Sequence, residues 1–178
     1  MKAKYSADRL YRRIYSALRC TPAAFDCGKL CGGACCQDSE HGTGMYLYPG
    51  EEAMFSSSRE WAKIEDSDFL CAGRAVKILS CPGKCNRSLR PLACRLFPLV
   101  PYMKSDGGIK IIFDPRAAAF CPLRKTGVLA SFKHHVEKCV NILKKTECGR
   151  TFIKEQSSLI DDYVEITGKF IRKKGIEK

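Results

Sequence analysis

The sequence predicts an α+β protein: a small irregular cysteine-rich metal-binding core with a short β-hairpin, flanked by an N-terminal helix and a C-terminal helical pair. Three observations carry that reading. Apolar residues recur at helical spacing near both ends of the chain. The stretch between them is crowded with Cys, Gly and Pro, which punctuate regular structure. Within it, two five-residue apolar runs flank Ser105-Asp106-Gly107-Gly108, a hairpin turn signal. With 178 residues, of which 45 % are hydrophobic, the chain has the size and composition of one folded domain over residues 1–178. Residues 25–124 form the cysteine-cluster core and 126–174 the helical region.

The elements follow in order. Leu10, Tyr11, Ile14, Tyr15 and Leu18 share one face of a first helix, with Asp8 or Ser6 as candidate cap and Thr21-Pro22 as its stop. Met45–Tyr48 reads as a short strand, and Pro49-Gly50-Glu51-Glu52 opens a helix over Ala53–Phe55. Regular structure elsewhere in the core looks sparse. Leu99–Met103 and Ile109–Phe113 are the hairpin strands. Val128, Leu129, Phe132, Val136, Cys139 and Leu143 form one helical stripe. Phe152, Ile153, Leu159, Ile160, Tyr163, Ile166, Phe170 and Ile171 form another. Cys148-Gly149 is the expected turn between them.

Twelve cysteines in 178 residues demand a chemical reason. The first twenty residues carry charges where a signal peptide would place its apolar stretch, and no apolar run reaches the roughly 20 residues of a membrane span. The expectation is therefore a cytoplasmic protein with no membrane partner. In that reducing compartment clustered thiols are metal ligands rather than disulfides.

Four thiols, Cys27, Cys31, Cys35 and Cys36, fall within ten residues, separated by Gly28, Gly32 and Gly33. Soft donors on a backbone able to adopt positive φ suit a loop curled around a metal. Adjacent Cys35 and Cys36 point opposite ways if the backbone is extended, and would then serve different metals. A second set comprises Cys71, Cys81, Cys85, Cys94 and Cys121. Cys81 and Cys85 repeat the three-residue gap, and Pro82 and Pro122 each follow a cysteine, as in ferredoxin runs. All nine are candidate metal ligands, and the two sets are expected to converge. Cysteine-only ligation suits either an iron–sulfur cluster or zinc. Arg90 and Arg95 are placed to offset thiolate charge or to anchor carbonyls.

The Cys27–Cys36 cluster with its paired Cys35-Cys36, together with Cys85, Arg90-Pro91 and Cys94-Arg95-Leu96-Phe97-Pro98, resembles the widespread cysteine-cluster family of zinc- or iron-chelating proteins. The resemblance covers about Cys27 to Cys121. It departs from common members in its three-residue gaps and in the added Cys71 and Cys121. The same domain resembles one in bacterial flagellin lysine methylases, so the resemblance also implies a group-transfer enzyme with a structural or redox metal centre as an alternative.

The formal charge of +12 raises a third reading, a basic nucleic-acid-binding metal module. Thiolates on a metal lower that charge, and the excess is dispersed: residues 124–178 hold 13 Lys/Arg against 7 Asp/Glu, much of it on solvated helix faces. Nucleic acid is not the expected partner. The C-terminal helices leave room for a homodimer or protein partner. Cys139 lies on an apolar stripe and reads as a packing thiol. Cys20 and Cys148 fall outside the cluster, and His41 and Trp61 are read as a loop residue and a packing residue. His134 and His135 have no thiol singled out beside them, so cysteine catalysis is not expected. The leading reading is an intracellular metal-binding protein with a redox, metal-handling or scaffold role.

Overall fold

The computed structural model describes residues 2–36, 44–55, 62–81, 83 and 87–173. The N-terminal apolar stripe makes helix α1 (Lys2–Ala17), which buries Tyr11 and Ile14 and, just beyond its end, Leu18. It begins earlier than the proposed caps: Asp8 lies inside it and pairs with Arg12 one turn on, at 2.9 Å. One turn, α2 (Gly28–Cys31), follows, then strand β1 (Gly44–Tyr46) and a 3₁₀ turn over Glu51–Phe55. The order continues with β2 (Lys63–Cys71), β3 (Arg74–Ser80), α3 (Leu92–Leu96), β4 (Leu99–Met103), β5 (Ile109–Phe113), α4 (Leu123–Thr126), α5 (Ala130–Leu143) and α6 (Glu147–Lys173). The protein is of the α+β class.

Among the described residues the strands form two antiparallel groups, a sheet ordered β1-β3-β2 and the β4–β5 hairpin. The hairpin spans the residues its sequence predicts, in register from Leu99 opposite Phe113 to Met103 opposite Ile109. The expectation of sparse regular structure fails at β2–β3, the longest strand pair. Its connection is Ala72-Gly73, with φ of 51° and 73°, the two left-handed positions of a type I′ turn. Asn-Gly announces such a turn; Ala-Gly hides it. A bulge between Asp66 and Leu70 further blurs the alternation.

Ala72 in left-handed backbone costs about 1–2 kcal/mol. Ala72→Gly is therefore expected to stabilise the protein by about 1 kcal/mol, raising Tm by roughly 2–4 °C. A melting curve that stays put or moves down would mean the turn carries no strain.

The main core lies where α1, α5 and α6 meet the sheets. Phe132, Val136, Cys139 and Leu143 of α5 and Phe152 and Ile153 of α6 pack with Tyr11, Ile14 and Leu18, with Leu92 and Leu96 of α3, and with Phe69 and Val76. Both C-terminal helices are present, with corrected limits. Val128 and Leu129 precede α5, and the Leu129 N–H donates to the Pro22 carbonyl at 3.0 Å. Cys148-Gly149 is not the turn but the first turn of α6. Thr146 caps that helix, its Oγ1 accepting from the Gly149 N–H at 3.1 Å. A Cβ on Gly149 would stand 2.5 Å from the Leu143 carbonyl, so close approach explains the glycine. The second stripe also runs out of core: Tyr163 and Ile166 are exposed, and the side chains of Phe170 and Ile171 lie outside the described residues.

Candidate metal centre

The cysteine loop begins as an Asx turn. Asp26 Oδ1 accepts from the Gly28 N–H at 3.1 Å, and the Asp26 and Cys27 carbonyls accept from Lys29 and Leu30 to start α2. The three-residue gap between Cys27 and Cys31 is thereby explained, since positions i and i+4 share one helix face. Gly32 and Gly33 then reverse the chain with φ of 62° and 73°, and the Gly33 N–H returns to the Gly28 carbonyl at 3.0 Å. Of the three glycines expected to need positive φ, Gly28 does not; it belongs to the helical turn. A 3₁₀ turn over Ala34–Cys36 follows. It replaces the extended backbone assumed for Cys35 and Cys36, and brings their sulfurs to 3.8 Å of one another.

Two later segments bring further thiols to this loop. Cys94 sits in α3, which starts after Pro91. Cys121 follows the 3₁₀ turn Pro115–Ala117, its N–H donating to the Ala117 carbonyl at 2.9 Å, and it precedes α4. Cys27, Cys31, Cys35, Cys94 and Cys121 line one cavity of about 30 Å³, together with Arg87 and Arg90. Phe97 and Phe120 wall it, their rings stacked at 6.1 Å and 8°. Phe97 is joined to Pro98 by a cis peptide bond.

A polar knot holds the start of α3, the segment that carries Cys94. Glu51 is fully buried. Its Oε1 accepts from Tyr15 Oη and the Leu92 N–H, both at 2.5 Å, and its Oε2 accepts from the Tyr48 N–H at 2.9 Å. Arg95 stacks over the Tyr15 ring, 4.1 Å from its centroid, and donates to the carbonyls of Arg90 at 2.7 Å and Ser88 at 2.5 Å. Arg95 thus anchors carbonyls. Arg87, which sequence reasoning did not single out, lines the cavity and donates to the Cys20 carbonyl at 2.9 Å. No motif marked it; only the three-dimensional neighbourhood does.

Among the described residues, Cys36, Cys71 and Cys81 do not line this cavity. Cys36 lines a second, adjoining cavity of about 250 Å³, which shares Cys35 and Cys94 with the first. Cys71 lines a depression near Cys148, away from the shared cavity. Cys81 packs beside Leu47, Phe55 and Leu79. Cys85, like His41 and Trp61, lies outside the described residues. Cys139 is fully buried, its thiol 3.5 Å from the Ile14 carbonyl.

Electrostatically the cavity is hard on lone thiolates. Burial, then the charges of Asp26 and Cys31, push the Cys27 thiol up, with Arg87 pulling the other way. Cys121 is pushed up chiefly by burial, against hydrogen bonds from the backbone of Leu123 and Arg124. In the adjacent pair, Cys35 is pushed up by its hydrogen bond to Cys36 and by burial, and Cys36 is lowered to about 6 chiefly by the same bond. Thiols so placed repel one another on ionisation unless a cation shares the charge.

Among the described residues, no three His, Cys, Asp or Glu side chains are drawn close enough to hold a metal ion as they stand. The five thiols line a common cavity without reaching bonding distance. Their chemistry suits a soft metal. Four thiolates around a divalent ion carry a net charge of about −2, and Arg87 and Arg90 in the same wall oppose it. The residues fit such a group by donor type, number and surrounding charge. No helix among the described residues is long and apolar enough to cross a membrane. No protein-family model matches the chain, and no curated protein or solved structure is a significant match.

Proposed function

We propose that this is a cytoplasmic metal-binding protein in which Cys27, Cys31, Cys35, Cys94 and Cys121 hold zinc or an iron–sulfur cluster. One observation carries the reading: five thiols from three separated chain segments line a single small cavity. Nothing in hydrophobic packing calls for thiols there, since Ala, Val or Leu would fill such a wall without a reactive group. The metal would supply either a cross-link between the N-terminal loop and the α3–α4 region or a redox couple. The chain's own contribution is to orient the thiols by one helical turn and a glycine reversal. Arg87 and Arg90 oppose the thiolate charge, and Phe97 and Phe120 limit access of water.

Anaerobic purification followed by metal and sulfide analysis and an absorption spectrum tests this reading. The expected result is stoichiometric metal. Zinc without visible absorption identifies a mononuclear thiolate site; iron with matching sulfide and broad visible absorption identifies a cluster. Protein that carries neither, and takes up neither after reduction, would overturn the proposal.

A further inference from the structure

Two thiols outside the metal cavity are brought to one place by the packing of β2 on α6. The Phe69 ring of β2 meets the Phe152 ring of α6, their centroids 5.7 Å apart. Cys71 lies two residues beyond Phe69 on the same face of the strand, both buried while Leu70 between them is exposed. Cys148 lies one helical turn before Phe152, on the same helix face. The two steps are of similar length, about 6–7 Å along a strand and about 6 Å along a helix. They lead to the same depression, of about 590 Å³, which Cys71 and Cys148 both line. Burial, then the charges of Glu155 and Cys148, push the Cys71 thiol up. The charged lining is balanced, Arg74 and Lys77 against Glu52 and Glu147, which gives no reason to hold an ion of either sign. What distinguishes the depression is its thiol pair, one member exposed and the other buried.

We propose that Cys71 and Cys148 are a peroxide-responsive thiol pair, in which a hydroperoxide oxidises Cys148 and Cys71 closes a disulfide that staples the end of β2 to the start of α6. The exposed Cys148 sulfur attacks one peroxide oxygen. An S–O bond forms, the O–O bond breaks, and the thiol proton leaves with the departing oxygen as water. The Cys71 sulfur then attacks the sulfenic sulfur of Cys148. The S–S bond forms, the S–O bond breaks, and the second thiol proton leaves in a second water. Two thiols lose two electrons and the peroxide gains them. In a reducing compartment such a bond is transient, reopened by small thiols, as befits a redox-sensing pair. The proposal rests on this pair and not on the metal reading.

Hydrogen peroxide is the probe, added in low molar excess to the full chain purified anaerobically with whatever metal it carries. Remaining thiols are alkylated, and tryptic peptides are mapped by mass without reduction. Cleavage isolates Cys71 in residues 64–74 and Cys148 in residues 146–150. The expected product is these two peptides joined, two hydrogens lighter than their sum, and separated again by dithiothreitol. A disulfide needs Cα atoms at about 4.4–6.8 Å, so the linked peptide also reports the juxtaposition. Cys71→Ser should stop at the sulfenic acid, trapped on Cys148 by dimedone. Cys148→Ser should slow oxidation of Cys71 at least tenfold, because the buried thiol is shielded from peroxide. Oxidation confined to the cavity thiols, with no joined peptide from the wild-type protein, would overturn the proposal whatever the variants do. So would Cys71 oxidised at the wild-type rate in Cys148→Ser, or no dimedone adduct on Cys148 in a folded Cys71→Ser protein. Metal content is measured on the same samples before peroxide is added, so failure of the metal reading is seen separately.

Discussion

Serine at Cys31, Cys94 or Cys121 is expected to strip most of the metal from the protein, whereas serine at Cys71 or Cys139 leaves metal content near wild type. Each of the first three removes a soft, chargeable donor from the five-thiol cavity and substitutes a neutral hard oxygen. The loss should exceed the roughly 10–100-fold that follows removal of a mere hydrogen-bond partner of a ligand. Choosing one cysteine from each segment is deliberate. Cys31 reports on the glycine-rich loop, Cys94 on α3 and Cys121 on the run into α4, so parallel losses require a site built from all three. Cys71 lines a separate depression near Cys148. Cys139 is fully buried, and serine there inherits a carbonyl partner in Ile14, so its cost is stability, about 1 kcal/mol. The measurement is metal per folded chain after anaerobic purification. Full retention by all three cavity variants would remove the site; loss in Cys71→Ser would return that thiol to it.

Some of this was legible in the sequence because it is local. The hairpin over Leu99–Met103 and Ile109–Phe113 was announced by its turn, and the packing role of Cys139 by its helical stripe. The spacing of Cys27 and Cys31 fits a helical turn, which the glycines around them disguised as a curled loop. What stayed hidden depends on contacts distant along the chain or on a single misleading residue. Ala72 concealed the β2–β3 turn. Thr146, not Gly149, sets the start of α6, because capping is a matter of which N–H the hydroxyl meets. Nine candidate ligands could not be sorted by spacing. Cys71 and Cys81 carry the same side chain as Cys94 and Cys121, and only the folding of two sheets between them sends the first two elsewhere. Arg87 carried no motif signal at all; the cavity it lines gives it meaning.

Glu51→Ala is expected to destabilise the protein by about 4 kcal/mol. The carboxylate ties three segments through the Tyr15 hydroxyl of α1, the Tyr48 N–H before the 3₁₀ turn, and the Leu92 N–H at the start of α3. Alanine orphans all three donors in a buried place, at about 1–3 kcal/mol each before relaxation. It also loosens the segment that carries Cys94. Glu51→Gln separates size from charge. Its Oε1 can still accept from Leu92 and Tyr15, while its Nε2 confronts the Tyr48 N–H. Burial raises the Glu51 pKa from 4.5 to about 7, against the pull of its hydrogen bonds and of Arg95. The folded state therefore binds more protons than the unfolded state between those values, and this group's contribution falls as pH rises through the window. At about 1.4 kcal/mol for each tenfold change in proton affinity, the fall is about 3 kcal/mol. The glutamine variant lacks it. Urea unfolding of both proteins at pH 4.5 and pH 8 should then show the stability advantage of wild type over Glu51→Gln shrinking by that amount. Taking the difference between the two proteins cancels the pH dependence of metal binding common to both. A constant difference across pH would mean that Glu51 stays ionised throughout, its three donors outweighing its burial.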